Sequence, residues 1–155
     1  LAISSDGSML AVAGSERLIS LYETRSLTAK AHLAGAMNAV LDLDFSPSGA
    51  LLLGACFDHA IKLWHVPTSR LRVSLAGHIG KVTCASFAGE GTIMSGSYDR
   101  TLKVWDVVRG VCSKTIFTLS SCNGLGLIGG TGGGTDATTL ASGHVDGHLR
   151  VWDTR

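Results

Sequence analysis

GHIGKVTCASF at residues 77–87, followed by IMSGSYDRTLKVWD at 93–106, is the stretch from which the fold is read. Its second half recurs. ALLLGACFDHAIKLWHV (50–66), GTIMSGSYDRTLKVWDV (91–107) and TTLASGHVDGHLRVWDT (138–154) each carry an apolar run, a small-residue step, an Asp, five intervening residues and a Trp. The pairs are Asp58/Trp64, Asp99/Trp105 and Asp146/Trp152. A degenerate copy, SMLAVAGSERLISLYET (8–24), puts Glu16 and Tyr22 in their places. Tyr22, Trp64, Trp105 and Trp152 follow one another at 42, 41 and 47 residues. A period of roughly 40–45 residues is that of one four-stranded propeller blade.

The local pattern agrees with strands. Ile61, Leu63, Leu102 and Val104 alternate with Lys62 and Lys103, a period of two. Turn residues (Asp6-Gly7, Ser46-Pro47-Ser48-Gly49, Gly89-Glu90-Gly91) fall between the first and second strand of each repeat. No segment has a helical period. The expected fold is all-β, a propeller of about four blades over residues 1–155. Blade 1 is expected at about 1–33, blade 2 at 34–75 and blade 3 at 76–118. Blade 4, at 119–155, is expected without its last strand. The first blade is read as strands near 1–5, 9–14, 18–23 and 28–33. The length divided by the period gives fewer than four blades, and an open arc leaves unpaired edges. The expectation is therefore an incomplete part of a larger propeller.

The complete repeat, Gly77-His78 to Trp105-Asp106, resembles the WD40 repeat. That resemblance implies a buried hydrogen-bonded chain in the blade: His78, Ser95 (or Ser97 on the same strand face), Asp99 and Trp105. A buried carboxylate has to be paired and an indole N–H needs an acceptor, which fits such a chain. The other repeats depart from it. Ala36 stands at the His position of the second and Gly54 at its Ser position. The fourth has Ser142, Asp146 and Trp152 but no opening Gly-His. Only the third blade is expected to carry the whole network. Across most of the chain, the blocks at Gly77–Val82, Ser95–Phe117, Ser121–Asn123 and Ser142–Arg155 are similar to the propeller of the autophagy-related sixteen-like proteins, which has about seven blades.

Composition and motifs narrow the function. With 13 Lys and Arg against 12 Asp and Glu, the net charge is +1, and no basic stripe points to nucleic acid. The longest apolar run, Leu51 to Phe57, is far short of the roughly 18 residues of a membrane span, so a membrane is reached only through partners. Cys56, Cys84, Cys112 and Cys122 form no C-x-x-C pair, and are read as buried reduced thiols of a cytoplasmic protein. GLGLIG at 124–129 matches a dinucleotide fingerprint. It runs into Gly130-Thr131-Gly132-Gly133-Gly134, where no helix could start, and is read as an enlarged flexible hairpin loop. His144, Asp146 and His148 alternate, but Asp146 is the turn residue and no fourth ligand is evident. Without a G-x-S-x-G elbow or another catalytic set, the expectation is no enzyme, no catalytic residue, no cofactor and no metal.

Propellers bind partners through loops on their rim. The rim candidates are Phe57, Ile79, Lys81, Tyr98 and Val145, with Met37 and Ala39 beside them and His59 and Arg100 as weaker ones. Phe57 and Tyr98 carry most weight, because exposed aromatic residues anchor interfaces. The resemblance implies a non-catalytic scaffold that helps target the lipidation of a ubiquitin-like protein to the phagophore membrane, within a coiled-coil dimeric parent. The alternative is a WD40 substrate receptor of a ubiquitin ligase, or another regulatory adaptor.

Overall fold

The computed structural model describes residues 1–128 and 139–154. It is built of antiparallel strands, with one short 3-10 turn at Val66–Thr68. The first sheet contains β1 (Ala2–Ile3), β2 (Met9–Val12), β3 (Ile19–Glu23) and β4 (Ala29–Leu33). The second contains β5 (Val40–Phe45), β6 (Leu51–Cys56), β7 (Ala60–His65) and β8 (Arg70–Ala76). The third contains β9 (Val82–Phe87), β10 (Thr92–Ser97), β11 (Thr101–Asp106) and β12 (Val111–Phe117). The fourth has three strands among the described residues, β13 (Cys122–Ile128), β14 (Thr139–His144) and β15 (Leu149–Asp153). Strand order within every sheet follows the chain.

Short turns produce this meander. Ser4 and Ser46 open the first hairpins of blades 1 and 2, and their hydroxyls accept the N–H groups of Met9 and Leu51 at 2.9 and 3.1 Å. Gly7 and Gly49 close those turns at φ of 70° and 72°, a region where a Cβ is costly.

The first strands of successive sheets lie side by side, β1 on β5, β5 on β9 and β9 on β13. β1 and β13 do not pack on each other in this way, so the described sheets do not close into a ring. Each core therefore lies between blades. Ile19, Leu21 and Leu33 meet Val40, Leu43, Leu52 and Trp64 at the first seam. Leu53, Ile61 and Leu63 meet Val82, Phe87, Ile93 and Trp105 at the second. Cys84, Met94 and Leu102 meet Cys122 and Leu140 at the third.

Lys62 alternates with Ile61 and Leu63, yet β7 is buried from Ala60 to Trp64, and Lys62 itself is only 6% exposed. A blade between two others is covered on both sides, and Lys62 is tolerated there because Asp58 lies 3.2 Å from its Nζ. One sequence reading needs correction: the glycine-rich segment is not a loop from its start. Gly124, Gly126 and Ile128 pair with Gly143, Ala141 and Thr139 as strand residues of β13. The remainder of that tract, 129–138, lies outside the described residues.

Candidate functional site: blade networks and the rim

The aromatic residue that closes each repeat sits on the third strand, where the pairing with the fourth slips by one residue. The slip falls at Leu21/Tyr22, Leu63/Trp64 and Val104/Trp105. A bulge of this kind re-aims a side chain. Here it accompanies indoles that are buried in the seams.

In blade 3 the Trp105 Nε1–H donates to Ser95 Oγ at 2.8 Å. Ser95 Oγ lies 2.8 Å from His78 Nε2, and His78 Nδ1 lies 2.9 Å from Asp99 Oδ2. With the imidazole neutral and protonated on Nδ1, every donor in this chain has an acceptor. Ser95 donates to Nε2, and Nδ1–H donates to the carboxylate. Burial holds the His78 pKa below its ordinary value, against the hydrogen bond and charge of Asp99, which pull it up. Burial pushes Asp99 the other way, but hydrogen bonds from Thr101, His78 and the Ile79 N–H together outweigh it and leave the carboxyl below its usual range. Ser97, the other candidate on this strand, bonds the carbonyls of Gly80 and Lys81 and takes no part in the chain.

Blade 2 handles its indole differently. A Cβ on Gly54 would come within 3.0 Å of the Trp64 ring, so the ring occupies the space of the missing serine. Trp64 Nε1–H donates instead to the Ala34 carbonyl at 2.7 Å. With Ala36 in place of a histidine, Asp58 Oδ1 is buried without a hydrogen-bond partner among the described residues, while Oδ2 pairs with Lys62.

Blade 4 carries a shorter chain that lacks the carboxylate, so among the described residues the whole set is found in blade 3. Trp152 Nε1–H donates to Ser142 Oγ at 2.8 Å, and Ser142 Oγ lies 2.7 Å from His144 Nε2. His144 Nδ1 lies 2.9 Å from the Ser120 carbonyl. The histidine comes from the second strand, two residues after the serine, and a backbone carbonyl stands where blade 3 has a carboxylate. Both His144 nitrogens are engaged in this way. Asp146 stays outside the network and takes Arg150 at 2.6 Å, which with the His148 N–H holds its pKa well below the usual carboxylate range.

One end of the blades carries the rim. The residue before each turn Asp donates its N–H to the carbonyl just before the first strand: Phe57 to Ala39, Tyr98 to Lys81 and Val145 to Ser121. Phe57, Tyr98 and Val145 are about half exposed, and Ile79 and Met37 more so. Lys81 Nζ stands 5.6 Å from the Phe57 ring centroid and 4.7 Å from that of Tyr98, so it bridges blades 2 and 3. Cation–aromatic contacts at these distances contribute roughly 0.5–2 kcal/mol. Leu119, 85% exposed, stands three residues before β13 as Ile79 stands three before β9, and Phe117, at the end of β12, is also exposed. Neither was a sequence candidate, because blade 4 lacks the Gly-His that marks this position in blade 3. His59 and Arg100, just past the turn, both take left-handed backbone, at φ of 68° and 64°.

Sequence contributes three further contacts that pattern alone did not suggest. Asp42 Oδ2 accepts the Ala85 N–H, and Asp44 Oδ2 accepts the Ser86 hydroxyl and the Phe87 N–H. They lace β5 to β9. Burial raises both carboxyl pKa values, with the hydrogen bonds opposing it.

Four consecutive antiparallel sheets, the last three each closed by an indole whose N–H is hydrogen-bonded, agree with a family model, WD domain, G-beta repeat, which matches residues 25–65, 69–106 and 134–153. The chain belongs to the WD40 repeat family. WD40 domains bind protein partners. The chain is 40% identical over 154 residues to Protein tipD of Dictyostelium discoideum, covering 99% of this chain and 24% of that protein. It is 32% identical over 142 residues to Autophagy-related protein 16 of Arabidopsis thaliana, covering 90% and 27%. It thus spans about a quarter of the length of these curated relatives. Among solved structures, that of U3-55K superposes with a TM-score of 0.89 at 24% identity, over 99% of this chain and 45% of that one, a likeness of fold. Among the described residues, no helix is long and apolar enough to cross a membrane, and no three His, Cys, Asp or Glu side chains group as metal ligands.

Proposed function

We propose that this WD40 chain is a non-catalytic scaffold whose rim holds a protein partner, serving the autophagy machinery. In this reading it belongs to a cytoplasmic, coiled-coil parent and helps direct the lipidation of a ubiquitin-like protein to the phagophore membrane. The likeness to an autophagy-related protein over most of the chain supports the setting. The observation that carries the binding site is the Lys81 ammonium seated over Phe57 and Tyr98, with Ile79 exposed beside it. Exposed aromatic and aliphatic side chains around a cation are what a partner can desolvate, whereas solvent alone gains nothing from them.

The test is the intact protein carrying Lys81→Glu, or Phe57→Ala with Tyr98→Ala, expressed in its own cells. Partner recovery should fall at least tenfold, and lipid-attached ubiquitin-like protein on phagophore membranes should fall with it, at an unchanged melting temperature. Unchanged lipidation together with loss of ubiquitin-ligase subunits from the recovered partners would overturn the autophagy reading in favour of a ligase receptor.

A further inference from the structure

The third seam holds two cysteines from different blades. Cys84 on β9 and Cys122 on β13 are buried, with their Sγ atoms 3.7 Å apart. The approach depends on Gly96: a Cβ there would lie 2.5 Å from Cys122 Sγ and 2.9 Å from Cys84 Sγ. Thr83 clamps the same place, its hydroxyl donating to the Cys122 carbonyl at 2.6 Å and shared with that of Gly96 at 3.0 Å. Among the described residues, Cys56 Sγ hydrogen-bonds the Gly54 carbonyl and Cys112 Sγ the Lys114 carbonyl and the Thr115 hydroxyl, and neither meets another sulfur.

We infer that Cys84 and Cys122 form a reversible oxidation site, a disulfide that staples blade 3 to blade 4. The sulfurs must close by about 1.7 Å to reach a bond of about 2.05 Å, a displacement within reach of side-chain rotation. The oxidant is a hydroperoxide. Cys122 ionises and its thiolate attacks the terminal peroxide oxygen; the S–O bond forms, the O–O bond breaks, and the departing hydroxide combines with the proton released on ionisation to leave as water. Cys84 sulfur then attacks the Cys122 sulfenic sulfur; the S–S bond forms, the S–O bond breaks, and hydroxide leaves with the Cys84 proton as a second water. Two thiols and one hydrogen peroxide give one disulfide and two waters. Hydrogen bonding between the two thiols holds Cys122 below its ordinary pKa and pushes Cys84 up, in keeping with Cys122 as the first to react. The staple lies next to the rim: Ser121, adjacent to Cys122, donates its hydroxyl to the Tyr98 carbonyl at 2.8 Å.

The intact protein is treated with one to ten equivalents of hydrogen peroxide, alkylated and digested with trypsin without reduction. Each cysteine falls on its own peptide, Cys84 on residues 82–100 and Cys122 on residues 115–150. The two peptides should appear linked, separate on dithiothreitol treatment, and stay linked in Cys112→Ser. The oxidised protein should melt about 5–10 °C higher than the reduced one, and Cys84→Ser should abolish that rise. Both peptides recovered with alkylated thiols at ten equivalents, or Cys84 linked to Cys112 instead, would overturn the assignment.

Discussion

Blades 2 and 3 bury the same indole at the same step of the repeat, yet they satisfy it by different means. In blade 3, Trp105 ends a relay of side chains that reaches Asp99 through Ser95 and His78. In blade 2, Trp64 fills the space above Gly54 and bonds the main chain at Ala34, and one oxygen of Asp58 has no hydrogen-bond partner among the described residues. The indole N–H must be satisfied wherever it is buried, but the acceptor is interchangeable. A side-chain relay concentrates stability in a few residues. A main-chain acceptor needs none of them and tolerates their loss, so a degenerate repeat can still close its blade. Blade 4 stands between the two, with the relay kept and a carbonyl at its end.

The comparison breaks most visibly if the two blades exchange residues. Ser95→Gly imposes the blade 2 residue on blade 3 and strips partners from both Trp105 and His78, two buried groups. It should cost about 3 kcal/mol in denaturant unfolding. A loss below 1 kcal/mol would mean that the indole relaxes to a main-chain acceptor there too. The reverse exchange, Gly54→Ser, drives a Cβ to 3.0 Å from the Trp64 ring and 3.1 Å from Val40. It should destabilise by about 1–3 kcal/mol through overpacking, although it restores the family's residue.

Acid should separate the blades as well. Because His78 has a lowered folded pKa, its contribution is fully present above its ordinary value of 6.5 and is lost as pH falls through the folded value. Asp99, also lowered, adds a second loss of the same sign below the carboxylate range. Asp42 and Asp44 act oppositely: their folded pKa values are raised, so their contribution is present at low pH and is lost as pH rises through those values. The stability gap between the wild type and His78→Gln should therefore narrow from pH 7 to pH 5. A gap that stays constant would show that His78 takes up its proton at the same pH in the folded and the unfolded chain.

The smallest effect is expected at the turns. Arg100 holds φ at 64°, where blade 4 has Gly147 at 80°. Arg100→Gly should stabilise by about 0.5–1 kcal/mol in thermal unfolding, since a left-handed position costs an L residue more than glycine.

Much of this was legible in the sequence because a repeat places the same residue types at the same step. The spacing of Tyr22, Trp64, Trp105 and Trp152, the turn residues and the apolar runs together determined an all-β chain of propeller blades. For the same reason the sequence offered Phe57, Lys81 and Tyr98 as candidates, and the structure leaves Phe57 and Tyr98 about half exposed with Lys81 over both rings. Leu119 and Phe117 escaped notice because blade 4 lacks the Gly-His that marks the position. His144 escaped as well, since a histidine on the second strand does not align with one before the first.

Periodicity also left two serines equivalent. Ser95 and Ser97 lie two apart on one strand and share a face by alternation. The pairing slips between Gly96 and Ser97, and this turns Ser97 to the main chain while Ser95 meets the indole and imidazole. The sequence by itself determined the repeat, its strands and which residues could supply donors and acceptors. Only the tertiary structure decided which acceptor each buried donor took, how Lys62 came to be covered, and that Cys84 and Cys122 would meet. Strand patterns specify one blade at a time, whereas a buried polar group is satisfied by whatever the neighbouring blade and the local bulge bring within about 3 Å.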